Sequence, residues 1–443
     1  MGGGGGPTKT FTLAVTGSRS GPQGDLRVQG RVDKSNTFLA DLEPGTANAA
    51  DLLLHSIINN GGANIWDGTD LANPPSLTGV PIVDGGVNQT DMAVWDMSAD
   101  GKFHIFGRGL GLGPDNAAGL VLARLGGTDL GVVQDATFSN TVGAGAVANK
   151  GIGKNVAIHP TELVAVAAGN FDVFPNGGAD TGDSLDFVKY TLSETGAATQ
   201  AAFPFSYGTL GATEEQGMGT SLDIGGNFAV IGPGGNTTGG FQHLAQLLDL
   251  NAGGWDDGAN NIRARSFGFG STEDGAGAVV RITDDGEHVL YTTSVPGVQA
   301  GSFRILKAAP GQVTDTMDVL ATVPVSFVGT AAPGSLGDIT NIDDENILVV
   351  LNVLNNDGTA GDGIVAYAGR PNDPQLITSV PIFVGDESPG TTISSIKITK
   401  AAPNSNFTDS TIKEPVPEEN VIVTVTYVDG QGNPFSETYN LNN

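Results

Sequence analysis

Short apolar runs, each five to nine residues long and closed by Gly, Asp, Asn or Pro, follow one another along most of this chain, and they come in fours. The clearest set is "MAVWDMS", "KFHIFGRG", "GLVLARLG" and "VVQDATFSN". The next set reads "NVAIHP", "LVAVAAGN", "DFVKYTLS" and "QAAFPFSYG", and three more follow the same grammar up to "LITSVPIFVG". Runs of this length bounded by turn residues predict β-strands. The second run of each set is almost wholly apolar, as a strand covered on both faces requires. The fourth carries a proline in four sets, at Pro81, Pro204, Pro324 and Pro381. Proline has no N–H for a ladder, so it marks an edge strand. The turn after the first run recurs at Pro44, Asp100, Pro160, Gly225, Asp285 and Asp344, at steps of 56 to 65 residues. A fixed period of this kind predicts an array of like β-units.

Apolar inner strands and a proline-bearing outer strand give the order of a propeller blade. Over residues 36–386 the chain resembles β-propeller repeat proteins in general, without a regular WD signature or kelch glycine pairs. The expected fold is therefore all-β: a β-propeller of six four-stranded blades, with seven as the alternative, and a small accessory β-element made from the two termini. Residues 1–8 read as a flexible glycine-rich tether, 9–35 as an N-terminal β-hairpin about a Gly-Pro turn and 36–388 as the propeller. Residues 389–443 read as a C-terminal β-segment that packs with the hairpin. Unit boundaries are expected near residues 88, 147, 212, 272, 332 and 388.

Charge and composition narrow the partners. The formal net charge is −28, with 48 acidic against 20 basic residues. No cluster of Lys or Arg is present, so phosphate-backbone binding, and with it nucleic acid, is not expected. No apolar stretch is long enough for a membrane span. Cysteine is absent, which removes disulfides, thiolate metal sites and thiol nucleophiles. "MGGGGGPTK" resembles the segment behind the lipid-modified cysteine of bacterial lipoproteins, with Met1 standing where that cysteine would be. The resemblance implies an extracytoplasmic location, at a bacterial surface or in the periplasm, with membrane contact only through a lipid anchor. A glycine-rich start of a phage virion protein is the alternative.

Candidate chemistry is sparse. His55, His104 and His288 fall in the second runs of three different sets, and His159 and His243 lie elsewhere, so the five histidines form no local ligand set. There is no GxSxG elbow, HExxH helix or phosphate loop. "NGGADTGDSLD" spaces Asp180, Asp183 and Asp186 by three, and "NNDGTAGDG" sets Asp357 and Asp362 among glycines. These loops resemble the calcium loops of integrin-type propellers but lack their dense Asp-x-Asp-x-Asp-Gly alternation. Calcium is the one cofactor they suggest, because hard cations take several oxygens from flexible loops. Trp66 beside Asp67, and Trp255 beside Asp256 and Asp257, pair an aromatic face with carboxylates, a way to hold a sugar ring. Trp95 reads as core. With no local catalytic constellation, the expected function is a non-enzymatic surface module that binds a protein or glycan. The alternatives are a virion fibre or decoration, and a propeller enzyme, a lyase or lactonase with a metal in its channel.

Overall fold

The computed structural model describes residues 11–20, 25–27, 54–58, 62–66, 79–81, 83–84, 87–88, 92–97, 103–108, 118–126, 129–138, 155–159, 162–168, 184–193, 199–206, 222–231, 245–251, 264–267, 279–292, 302–309, 317–325, 332–354, 363–381, 392–400, 421–428 and 434–442. Among them there is no helix. After β1 (Thr12–Ser20), strands β2 (Asp25–Arg27), β3 (Leu54–Ile58), β4 (Gly62–Trp66) and β5 (Gly79–Pro81) form a four-stranded sheet, followed by a ribbon of β6 (Val83–Asp84) and β7 (Val87–Asn88). The next sheet holds β8 (Met92–Met97), β9 (Phe103–Arg108), β10 (Ala118–Gly126) and β11 (Asp129–Phe138). Then come β12 (Asn155–Ile158), β13 (Val164–Ala168), β14 (Ser184–Thr191) and β15 (Thr199–Ser206), and β16 (Leu222–Gly225), β17 (Phe228–Ile231), β18 (Ala245–Asp249) and β19 (Ala264–Phe267). Two more follow: β20 (Val280–Ile282), β21 (His288–Thr292), β22 (Ser302–Lys307) and β23 (Val319–Pro324), and β24 (Ala332–Asn341), β25 (Ile347–Leu354), β26 (Gly363–Arg370) and β27 (Asp373–Pro381). Each is an antiparallel meander in chain order. The last sheet is built from β28 (Thr392–Lys400), β29 (Val421–Val428) and β30 (Pro434–Asn442), and β1 pairs with β30 as its fourth strand.

The boundaries expected near 147, 212, 272 and 388 fall between consecutive sheets. The one near 88 falls on β7, and the one near 332 on the first residue of β24. Pro81, Pro204, Pro324 and Pro381 all lie on strands at a sheet edge. Two expectations are corrected. The 9–35 hairpin does not form: β1 pairs with β30, and β2 pairs with β3 in another sheet. A two-stranded hairpin buries too little on its own, while β30 presents an open edge that β1 covers over eight register pairs. Nor do the termini make a separate accessory element. Their sheet packs on the β24–β27 sheet, and β2, from within the expected hairpin, is the first strand of the sheet that holds β3, β4 and β5.

The core lies between the sheets. One layer, Phe103, Ile105, Leu122, Val156, Ile158 and Tyr190 among others, joins the β8–β11 and β12–β15 sheets. Others join β16–β19 to β20–β23, β20–β23 to β24–β27, and β24–β27 to the terminal sheet. In one of them the Phe303 and Tyr367 rings meet edge to face, centroids 4.9 Å apart, and the Tyr367 hydroxyl donates to the carbonyl of the edge residue Pro324 at 3.2 Å.

The recurrent turns touch each other from sheet to sheet. The Gly226 N–H donates to the Asp284 carbonyl at 2.9 Å. Gly226 and Gly286 sit at φ +51° and +75°, a region that favours glycine. A Cβ on Gly225 would overlap the Thr283 carbonyl oxygen. Gly225→Ala should therefore destabilise the chain by about 1–3 kcal/mol, the usual cost of forcing atoms into a filled site. Urea unfolding checks this, and an unchanged midpoint would count against the turn-to-turn packing.

Candidate functional site

The first strand of each sheet has one edge with no strand beside it, so its outward amides need another acceptor. Three aspartates supply it across the junction to the next sheet. Asp96 on β8 accepts the Ile158 N–H of β12 at 2.8 Å through Oδ2. Asp223 on β16 accepts the Ile282 N–H of β20 at 2.9 Å. Asp338 on β24 accepts the Ile398 N–H of β28 at 2.7 Å, and its other oxygen accepts its neighbour Ile339's N–H at 2.9 Å. The partners are 62, 59 and 60 residues apart, one repeat in each case. All three occupy the same place, immediately before the Met or Ile of "WDM", "LDI" and "GDI". In β20 and β28 that place holds Arg281 and Lys397, in "VRI" and "IKI".

These groups act on one another as a cluster. Burial alone would pull the Lys397 ammonium down, but Asp96, Asp338, Asp223 and Asp284 together lift it above the ordinary lysine range. Lys397 is held as a cation. Burial pushes the Asp223 carboxyl up to about 6, against the pull of Lys397 and Arg281, and the charge on Asp338 adds to the rise. Burial also raises Asp338, with Lys397 and Arg281 opposing it. Asp96 and Asp338 are nearly inaccessible, at 8% and 5% exposure. Asp223 and Lys397 keep some open surface, so the cluster can be reached by a ligand. An acid half-protonated at about pH 6 beside a fixed cation can pass a proton and steady a developing anion.

The residues singled out in the sequence fare differently. Trp66 is not in a turn: it is the last residue of β4, in register with Leu54. Asp186 is not in a loop with Asp180 and Asp183 but lies in β14 opposite Pro204, since the strand pairs from Ser184 onward. Asp67, Trp255, Asp256, Asp257, Asp180, Asp183, Asp357 and Asp362 lie outside the described residues. Among the described residues no group of three or more His, Asp or Glu could hold a metal ion. None of the cluster residues was singled out in the sequence, although the repeated place before Met or Ile in the first strand would have aligned them.

No family model matches the chain, and no curated protein does. In structure it is similar to hydrazine synthase of Kuenenia stuttgartiensis, at 12% identity and a TM-score of 0.41, over 78% of this chain and 80% of that one. It is similar to the β-propeller domain of the trilobed protease of Pyrococcus furiosus, at 12% identity and a TM-score of 0.39, over 87% and 90%. It also matches a prolyl endopeptidase at 10% identity and a TM-score of 0.41, over 95% of this chain but 47% of that one. Likeness at this level concerns the fold. The expectation of a non-enzymatic surface binder is corrected to this extent: these neighbours are a hydrazine synthase, a protease propeller domain and a prolyl endopeptidase, and none of them supports a surface binder.

The Asp223 carboxyl has an ordinary value of 3.8 and a folded value of about 6. Protonation thus favours the fold. Its contribution is fully present below the ordinary value and is lost as pH rises through about 6. Asp223→Asn stays neutral and can still accept the Ile282 N–H. Its melting temperature relative to the parent should rise by several degrees between about pH 4 and about pH 7. A difference that stays flat over that range would show the carboxyl to be unperturbed.

Proposed function

We propose that this chain is the propeller of an enzyme, with seven blades, and that the charged cluster on its inner strands is the reactive centre. The blade number is supported by seven four-stranded sheets among the described residues and by the place of β1 on β30. The observation that carries the functional reading is the meeting of Lys397 with Asp96, Asp223 and Asp338, drawn from four different sheets. Mixed-charge clusters with a displaced carboxyl are where acid–base chemistry is found.

The reaction class that fits is opening of a lactone. The Asp223 carboxylate takes a proton from water as the water oxygen bonds to the carbonyl carbon. The Lys397 ammonium stabilises the oxyanion that forms. The ring C–O bond then breaks, and the departing oxygen takes its proton from the Asp223 carboxyl. Lys397 supplies the positive charge that a channel metal would otherwise bring.

A panel of lactones assayed with the full chain tests the reading. Turnover should fall with a pKa near 6 on its acid side, and Asp223→Asn should lower kcat by about 10²–10⁴-fold. Lys397→Met should lower it by about 10²–10³-fold, the scale of losing one anion-stabilising group. Absence of turnover on every lactone, or full activity in the Asp223→Asn variant, overturns the proposal.

A further inference from the structure

His159 sits at the end of β12 with 2% of its surface exposed. Its two ring nitrogens are bound to groups whose roles are fixed. The backbone N–H of Glu162 donates to Nδ1 at 2.9 Å, so Nδ1 carries no proton. The carbonyl of Gly226 lies 2.9 Å from Nε2 and can only accept, so Nε2 carries the proton. One bond folds the β12–β13 turn on itself, with the His159 N–H to Val164 carbonyl bond at 2.8 Å alongside it. The other reaches the β16–β17 turn of the neighbouring sheet. From there the Gly226 N–H continues to Asp284, and the Asn341 side chain binds the neighbouring Asp285 carboxylate. Four sheets are thus linked turn to turn, and His159 is the first link.

We propose that His159 is a proton-sensitive clasp: its neutral Nε2–H form ties the β12–β13 turn to the β16–β17 turn, and a proton taken up at Nδ1 opens the first turn and loosens the tie. The imidazolium has no lone pair at Nδ1, so the Glu162 N–H loses its acceptor. Burial holds the ring's pKa below its ordinary value, while the charges of Glu162 on its own turn and Asp223 on β16 pull it back up. Asp96 on β8 is bound to the amide of Ile158, the residue before His159, and Asp284 is bound through its carbonyl to the Gly226 N–H. The neutral clasp contributes stability above the ordinary histidine pKa, and that contribution is lost as pH falls through the lower folded value. Asp223 is three residues from Gly226, so the clasp also holds the turn behind one member of the charged cluster. The clasp stands whether or not that cluster turns over a substrate.

Global stability is a poor readout, because protonation of Asp223 acts in the opposite direction over the same range. Local readouts on the full chain separate the two: amide exchange at Glu162 and Gly226, corrected for intrinsic rates, and ¹⁵N shifts of the His159 ring. Between about pH 8 and about pH 5 the protection of Glu162 should fall roughly tenfold or more as the ring shifts move from the Nε2–H tautomer to imidazolium. Gly226 protection should fall with it. In His159→Gln, which keeps a neutral donor for the Gly226 carbonyl, the response should vanish. Equal Glu162 protection at both pH values in the parent, or the same fall in the Gln variant, overturns the clasp. Should the variant fail to fold, a parent ring that becomes imidazolium while Glu162 and Gly226 stay protected overturns it equally.

Discussion

The unpaired edge of each innermost strand is the constraint on which this architecture turns. A four-stranded sheet satisfies its backbone internally except along its two edge strands, and the inner edge has no further strand to pair with. Asp96, Asp223 and Asp338 meet the need with a carboxylate oxygen set against the amide of the following inner strand. Each bond also sets the height of one sheet relative to the next, because it joins equivalent places one repeat apart. The hydrophobic layers between sheets supply adhesion without direction. The aspartates supply the register.

That solution creates the electrostatics of the site. Burial raises both Asp223 and Asp338, and the charge on Asp338 adds to the rise at Asp223. The same place in the intervening strands carries Arg281 and Lys397, which offset it. The offset is incomplete at Asp223, whose carboxyl stays far above the usual range. The displaced Asp223 carboxyl is thus a by-product of how the sheets are held. Asp223 both joins two sheets and takes part in the charge balance, so it should resist substitution more than either role alone would demand.

Much of the fold was legible because it is local. The four-run grammar, the wholly apolar second run and the edge prolines each follow from covering or baring a strand, and neighbours in sequence are neighbours in the sheet. That the two termini come together was legible, but, since a hairpin was expected, the pairing of β1 was not. Its partner β30 lies at the other end of the chain, and no local pattern tells a strand in a hairpin from one that completes a distant sheet. The charged cluster was hidden for the same reason: Asp96, Asp223, Asp338 and Lys397 each read as one polar residue in an apolar strand. Only superposing the repeats would have put them in register. Trp66 closes β4 and Asp186 falls inside β14, and a strand position by itself does not tell a ligand-holding residue from one that packs.

The junctions differ in how they are bound. At β8/β12, β16/β20 and β24/β28 an aspartate carboxylate crosses. At β12/β16 the place holds Ala157, which has no acceptor to offer, and His159 crosses instead, two residues further on. At β20/β24 it holds Arg281, a donor, and the Asn341 to Asp285 contact crosses there. Carboxylate junctions alternate with junctions held by turns, which keeps every second inner strand free of an acid and limits the negative charge gathered at the centre. An aspartate at all five junctions would bind the strands more uniformly, but it would remove the cation Arg281 and add two further carboxylates, at 157 and 281. The alternation is the arrangement in which stapling and charge balance are satisfied together, and it leaves a histidine, the side chain that titrates nearest neutrality, at the junction where the acid is missing.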